Sequence, residues 1–121
     1  PLDKIQALFA SMEDKRAAFA EVGEKLPDIT ICGALYNNLE ANAKEARKGL
    51  ALVKLGELLG ISRKEIMACG DGSNDIEMVR EAGLGVAMAN AIAEVKEAAD
   101  CVTLSNDEDG AAKAIEEYVL K

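Results

Sequence analysis

Asp71 and Asp75 lie four residues apart in Gly70-Asp71-Gly72-Ser73-Asn74-Asp75-Ile76-Glu77-Met78, with Asn74 between them. Two carboxylates this close repel each other unless a cation neutralises them. Hard oxygen donors of this kind suit Mg²⁺, which takes one or two carboxylates and completes its shell with water and phosphate. The apolar run Ile66-Met67-Ala68-Cys69 precedes the acidic stretch, and helical spacing follows it from Ile76 to Ala82. The pattern predicts a strand, a tight turn and a helix. The carboxylates then sit at the carboxyl end of a strand, where open α/β sheets bind ligands. Glycines at 70 and 72 are expected to let the backbone turn sharply, and the amides opening the helix to face an anion. A blander alternative stands beside this one: Asn74 or Asp75 is an ordinary cap of the helix.

Two further features can join the turn. Lys48 opens a helical stretch ahead of the strand, and Asn106-Asp107-Glu108-Asp109-Gly110 forms another acidic turn after a later strand. A lysine and a Mg²⁺ carboxylate at the carboxyl edge of a sheet are what phosphoryl transfer requires, because they neutralise the equatorial charge of the phosphate. The chain contains no histidine, which excludes Ser-His-Asp and Cys-His catalysis. Cys32, Cys69 and Cys101 are odd in number and far apart, each in or beside an apolar run. Buried reduced thiols of a cytoplasmic protein are expected, not disulfides or a zinc site.

The 121 residues suffice for a modest core, and 50% of them are hydrophobic, so the chain is not a disordered tail. Net charge is −8 with no basic cluster, which argues against nucleic acid or an anionic membrane surface as partner. No apolar run is long enough for a membrane span, and no signal peptide opens the chain. It begins at Pro1, which fits a processed initiator or a fragment boundary.

The elements that must position these residues follow from periodicity. A strand is expected over 4–10, then a helix over 12–26 with Ser11 as N-cap and Pro27 as its stop. Strands over 29–32 and 38–42 are expected to pair antiparallel. Leu52, Leu55 and Leu59 recur at helical spacing from Gly49, and Gly60 ends that helix. Strands over 65–69, 84–88 and 101–104 then alternate with helices over 75–82, 91–98 (capped by Asn90) and 109–119. Such alternation indicates an α/β fold with a parallel sheet and right-handed crossovers. The change in pattern divides the chain into 1–45 and 46–121.

Lys48-Gly49-Leu50-Ala51-Leu52, the 70–78 stretch, Ala82-Gly83-Leu84-Gly85-Val86-Ala87-Met88-Ala89-Asn90-Ala91 and the tail from Val95 through Gly110 resemble, in this order, the haloacid dehalogenase superfamily. More narrowly they are similar to its Cof-type phosphatases with a class IIB α/β cap. The resemblance implies the C-terminal half of a Rossmann-like core over 46–121, preceded by a partial cap. It further implies a Mg²⁺-dependent phosphatase of small phosphorylated metabolites, working through an aspartyl-phosphate. Lys48 would contact the transferred phosphoryl group, Asp71 would ligate Mg²⁺ directly, Asp75 would act as an outer-shell ligand, and Asn74 would contact substrate or phosphate. Ala89 and Ala111 depart from the family's frequent Gly and Val.

The larger departure is the nucleophile. The family's D-x-D-G-T segment has no match over 1–47, where Asp14 and Asp28 stand in the wrong context, and its second-motif Ser/Thr is missing too. The chain is therefore expected to supply half a phosphate site and to be inactive alone. A truncated core exposes a strand edge and apolar surface, so a homo-oligomer, or pairing with the missing N-terminal half, is expected. A non-catalytic binding or assembly module is the competing reading, and a sensor of Mg²⁺ or phosphate ligands a third. Asp107, Glu108 and Asp109 are expected to complement a helix dipole, and Met78 and Met88 to fill core. Tyr36 is either a substrate contact or packing.

Overall fold

The computed structural model describes residues 4–33 and 36–120. The chain forms two compact units, Pro1–Arg47 and Lys48–Lys121. In the first, β1 (Lys4–Leu8) leads to α1 (Met12–Lys25), then β2 (Ile29–Cys32) and β3 (Asn38–Ala43). The sheet order is β1-β3-β2, with both pairs antiparallel, so Ala41 faces Ile5 on one side and Ile31 on the other. The β2–β3 pair is the expected one. The Ser11 hydroxyl caps α1 by accepting the Asp14 N–H at 3.1 Å. Met12, Lys15, Ala18, Phe19 and Val22 are half-buried at helical spacing, yet no residue of α1 is fully buried.

The second unit runs α2 (Lys48–Leu59), β4 (Met67–Gly70), α3 (Ile76–Glu81), β5 (Leu84–Ala87), α4 (Ala93–Ala98), β6 (Cys101–Val102) and α5 (Gly110–Tyr118). Its sheet is parallel in the order β4-β5-β6, so Val86 pairs with Cys69 on one side and Cys101 on the other. Val79, Ala87, Ala91 and Val95 form its core, with Ile76, Met88 and Ala99 packed against them. Met88 and Met78 are both half-buried, and Met88 packs against this core.

Several local expectations are corrected. Glu65 lies not in β4 but in a 3-10 turn, Arg63–Glu65, where its carboxylate accepts the Ser62 N–H at 2.9 Å. Strand β6 is only two residues long. Asn90 does not cap α4; Ile92 holds that position and makes no side-chain cap bond. Leu55 and Leu59 are 54% and 63% exposed, and the buried residues of α2 are Gly49 and Gly56. Gly60 does end α2: its φ is +68°, and the Ile61 and Gly60 amides bond back to the Gly56 and Glu57 carbonyls. The three cysteines are half-buried thiols rather than fully buried ones. Among the described residues no helix is long and apolar enough to cross a membrane.

Candidate active site

Strand β4 ends at Gly70, and a 3-10 turn over Ser73–Asp75 carries the chain into α3. A Cβ on Gly70 would lie 2.5 Å from the Asp75 Cβ and 2.9 Å from Val79 Cγ2. Gly70 therefore makes room for Asp75 to fold back against the strand. Among the described glycines only Gly60 has a positive φ, so a left-handed backbone is not what this turn needs its glycines for.

Asp75 is 5% exposed. Its Oδ2 accepts the backbone N–H of Asp71 at 3.1 Å and of Gly72 at 3.2 Å, and its Oδ1 accepts from Lys48 Nζ at 2.5 Å. Burial alone pushes this carboxyl upward. The Lys48 hydrogen bond and charge, together with the two amides, outweigh burial and hold it below the ordinary carboxylate value. Asp75 also holds the N-cap position of α3, as the blander reading expects, though its carboxylate makes no cap bond to that helix and instead closes the capping box of the preceding 3-10 turn on the Gly72 N–H.

Lys48 reaches Asp75 because α2 lies tightly on α3. A Cβ on Gly49 would meet Glu77 Cγ at 2.3 Å and the Glu77 backbone carbonyl carbon at 2.9 Å. Any larger residue after Lys48 would push its helix away. The Lys-Gly pair is thus one device: the glycine gives the approach, and the lysine uses it.

Asp71 is exposed. Its Oδ2 accepts from Asn90 Nδ2 at 3.1 Å, and its carbonyl accepts from the Ile92 N–H at 3.1 Å. Asn74 is half-buried with its Oδ1 lying over Gly72, 3.1 Å from where a Cβ would stand. The structure thus brings Lys48, Asp71 and Asp75 to the carboxyl edge of β4, with Asn74 on the same turn. In the second acidic turn, Glu108 Oε2 accepts from Ser105 Oγ at 2.6 Å and from the Ser105 N–H at 3.3 Å. These bonds hold Glu108 below the usual carboxylate range. Asp107 accepts from Asn106 Nδ2 at 3.2 Å. Asp109 precedes α5 with φ +57° and makes no side-chain cap bond. Tyr36, in the other unit, is 77% exposed, which removes the packing alternative.

One site residue was expected from sequence only as the cap of a helix. Asn90, beyond the carboxyl end of β5, takes the Asn106 N–H on its Oδ1 at 2.9 Å while its Nδ2 serves Asp71. The sequence signals for it were its place as a polar residue after the middle strand and its position within the family-like stretch over 82–91.

No cluster of three His, Cys, Asp or Glu side chains able to hold a metal occurs among the described residues. The donors nonetheless fit Mg²⁺. Asp71 offers an exposed carboxylate, and Asp75, engaged by Lys48 and two amides, stands behind it. One protein carboxylate with water and phosphate is an ordinary Mg²⁺ set.

A family model described as haloacid dehalogenase-like hydrolase matches residues 1–115. The chain belongs to this family. Over 108 residues it is 46% identical to the 5-amino-6-(5-phospho-D-ribitylamino)uracil phosphatase YcsE of Bacillus subtilis, covering 89% of this chain and 43% of the relative. It is 40% identical over 105 residues to a phosphoglycolate phosphatase of Archaeoglobus fulgidus, covering 87% of this chain and 44% of the relative. A haloacid dehalogenase-like hydrolase structure from B. subtilis superposes with a TM-score of 0.86 at 36% identity, over 97% of this chain and 40% of the other. The subclass IIB sugar phosphatase BT4131 gives 0.82 at 34% identity, over 98% of this chain and 44% of the other. The chain spans about two fifths of the length of these relatives.

Proposed function

We propose that this chain is the lysine- and metal-bearing part of a Mg²⁺-dependent phosphatase of small phosphorylated metabolites in the cytoplasm. The observation that carries this is the Lys48 ammonium fixed on a buried Asp75 beside an exposed Asp71, at the carboxyl edge of a parallel sheet. Lys48 neutralises charge on the phosphoryl oxygens, and Asp75 keeps both the lysine and the turn in place. Asp71 holds the Mg²⁺ directly, Asp75 supports it from the outer shell, and Asn74 contacts phosphate or substrate. When bound, the ion neutralises and orients the phosphate.

The first unit is taken as part of a cap that sets specificity. By the family resemblance the nucleophilic aspartate would come from a D-x-D-G-T segment, which residues 1–47 do not contain. The chain's own Asp-x-Asp, at 107 and 109, is no substitute: it follows β6, with β5 between that strand and β4. Exposed Leu55, Leu58, Leu59 and Ile61 support pairing with the missing half or a second copy. The same exposed apolar residues also support a second reading, a non-catalytic binding or assembly module.

The test is hydrolysis of a phosphate monoester by the chain alone, and by a chimaera in which it replaces the matching segment of YcsE. The chain alone should be inactive. The chimaera should turn over with Mg²⁺ and lose about 100-fold or more with Asp71→Asn or Lys48→Ala. Turnover by the chain alone that Asp71→Asn abolishes would overturn the half-site reading. A folded, inactive chimaera would favour the binding module.

A further inference from the structure

The segment after β5 ties together the turns that follow the two flanking strands. The Met88 N–H bonds to the Gly70 carbonyl at 3.0 Å, and the Ile92 N–H to the Asp71 carbonyl at 3.1 Å. On the other side, the Ala89 N–H bonds to the Leu104 carbonyl at 3.1 Å. These are backbone bonds, which any residue at these positions could make. Asn90 is different, because its side chain spans the gap: Nδ2 donates to Asp71 Oδ2 at 3.1 Å, and Oδ1 accepts the Asn106 N–H at 2.9 Å. Both ends of one amide are used, one on each neighbouring turn.

We infer that Asn90 is a positioning residue, whose side-chain amide orients the Asp71 carboxylate and couples it to the Asn106 turn. The inference rests on the reading of Asp71 as the Mg²⁺ ligand. An exposed aspartate rotates among several rotamers, and binding a cation must fix one of them. A donor on one carboxylate oxygen restricts that rotation beforehand and leaves the other oxygen facing outward. Because Asn90 is itself held by the Asn106 amide, the donor is pre-aimed. An amide offers a donor and an acceptor on one rigid plane, whereas an ionised carboxylate of the same length only accepts. Hydrogen-bond partners behind metal ligands are commonly worth about 10- to 100-fold in metal affinity.

The bonds to the Asp71, Gly70 and Leu104 carbonyls do not involve the Asn90 side chain, so Asn90→Ala should leave the backbone frame standing. Mg²⁺ is titrated into the ¹⁵N-labelled chain and its dissociation constant read from the Asp71 and Gly72 amides. The Asn106 amide is followed in the same spectra, and unfolding midpoints are measured in parallel. Expected are an affinity loss of about 10-fold in Asn90→Ala with little change in midpoint, and a Mg²⁺-dependent shift of the Asn106 amide that vanishes in that variant. Asn106→Ala keeps the backbone N–H and should bind as the wild type does. Equal affinity in Asn90→Ala, or a loss that merely tracks unfolding, would overturn the inference while leaving the metal site intact. No saturable shift in the wild type would instead remove the Mg²⁺ reading of Asp71, and the positioning role with it.

Discussion

In the second unit Val79, Val86 and Val95 are at most 1% exposed, and helices close on neighbouring backbone through glycines. In the first unit α1 has no fully buried residue, and a half-open groove of about 450 Å³ is lined by Ile5, Ala7, Val22, Leu26, Ile29 and Leu39. The contrast shows what a site of fixed geometry needs. Lys48 can stand 2.5 Å from Asp75 only because the elements carrying them have no slack. A helix over a half-filled groove holds its side chains less strictly, and that groove is lined mostly by apolar residues, with Lys4 and Asn42 among them.

The sharpest way to break this contrast is to remove methyl groups from each unit. Val79→Ala should cost about 2–3 kcal/mol, from lost transfer energy plus a cavity that close packing cannot collapse. Leu26→Ala removes more atoms, but Leu26 is 52% exposed on the rim of the groove, so less than about 1 kcal/mol is expected. Urea unfolding followed by amide signals from each unit separately would measure both, since two units need not unfold together. Comparable losses would mean that the first unit is as tightly packed as the second.

A glycine pair gives a smaller but more specific test. Gly23→Ala in α1 places a Cβ 3.5 Å from Ile31 Cδ1, an ordinary contact, so the substitution should stabilise by up to about 1 kcal/mol through helix propensity. Gly49→Ala drives a Cβ into the Glu77 backbone and should destabilise by about 1–2 kcal/mol. It should also separate Lys48 from Asp75, visible as a shift of the Asp71 and Gly72 amides. If both variants stabilise, the α2–α3 contact is looser than the structure has it.

What could be read from sequence divides along the same line. The Gly70–Asp75 turn, the Ser11 cap and the Gly60 stop are local, written in consecutive residues whose chemistry has few alternatives. Asn90 was misassigned as a cap, because its partners lie 19 and 16 residues away and no periodicity records them. Leu55 and Leu59 showed helical spacing, but spacing does not say which face meets protein; Gly49 and Gly56 do. Pairing of β1 with β3 was likewise not derivable from alternation alone. Glu65 lost its strand to a capping bond with Ser62, a competition between two local preferences.

The smallest expected effects are titrations, and they should separate the units by pH. Asp75 is held below its ordinary value of 3.8 in the folded chain, because Lys48 and two turn amides outweigh the opposing effect of burial. Its contribution to stability is therefore full above that value and lost as pH falls through the lower folded one. Lys4, in the first unit, is raised above 10.5 by the hydrogen bond and charge of Glu40, 2.8 Å away. Its contribution is full below 10.5 and lost as pH rises through the raised value. Acid should then weaken amide-exchange protection in the second unit by a step that Asp75→Asn removes. Alkali should weaken the first unit by a step that Lys4→Met removes. The acid step should be the larger, because Asp75 is buried whereas Lys4 is half-exposed and screened by solvent. An acid step that survives in Asp75→Asn would place the responsible carboxylate elsewhere, and Asp75 would then serve to aim Lys48 without stabilising the unit.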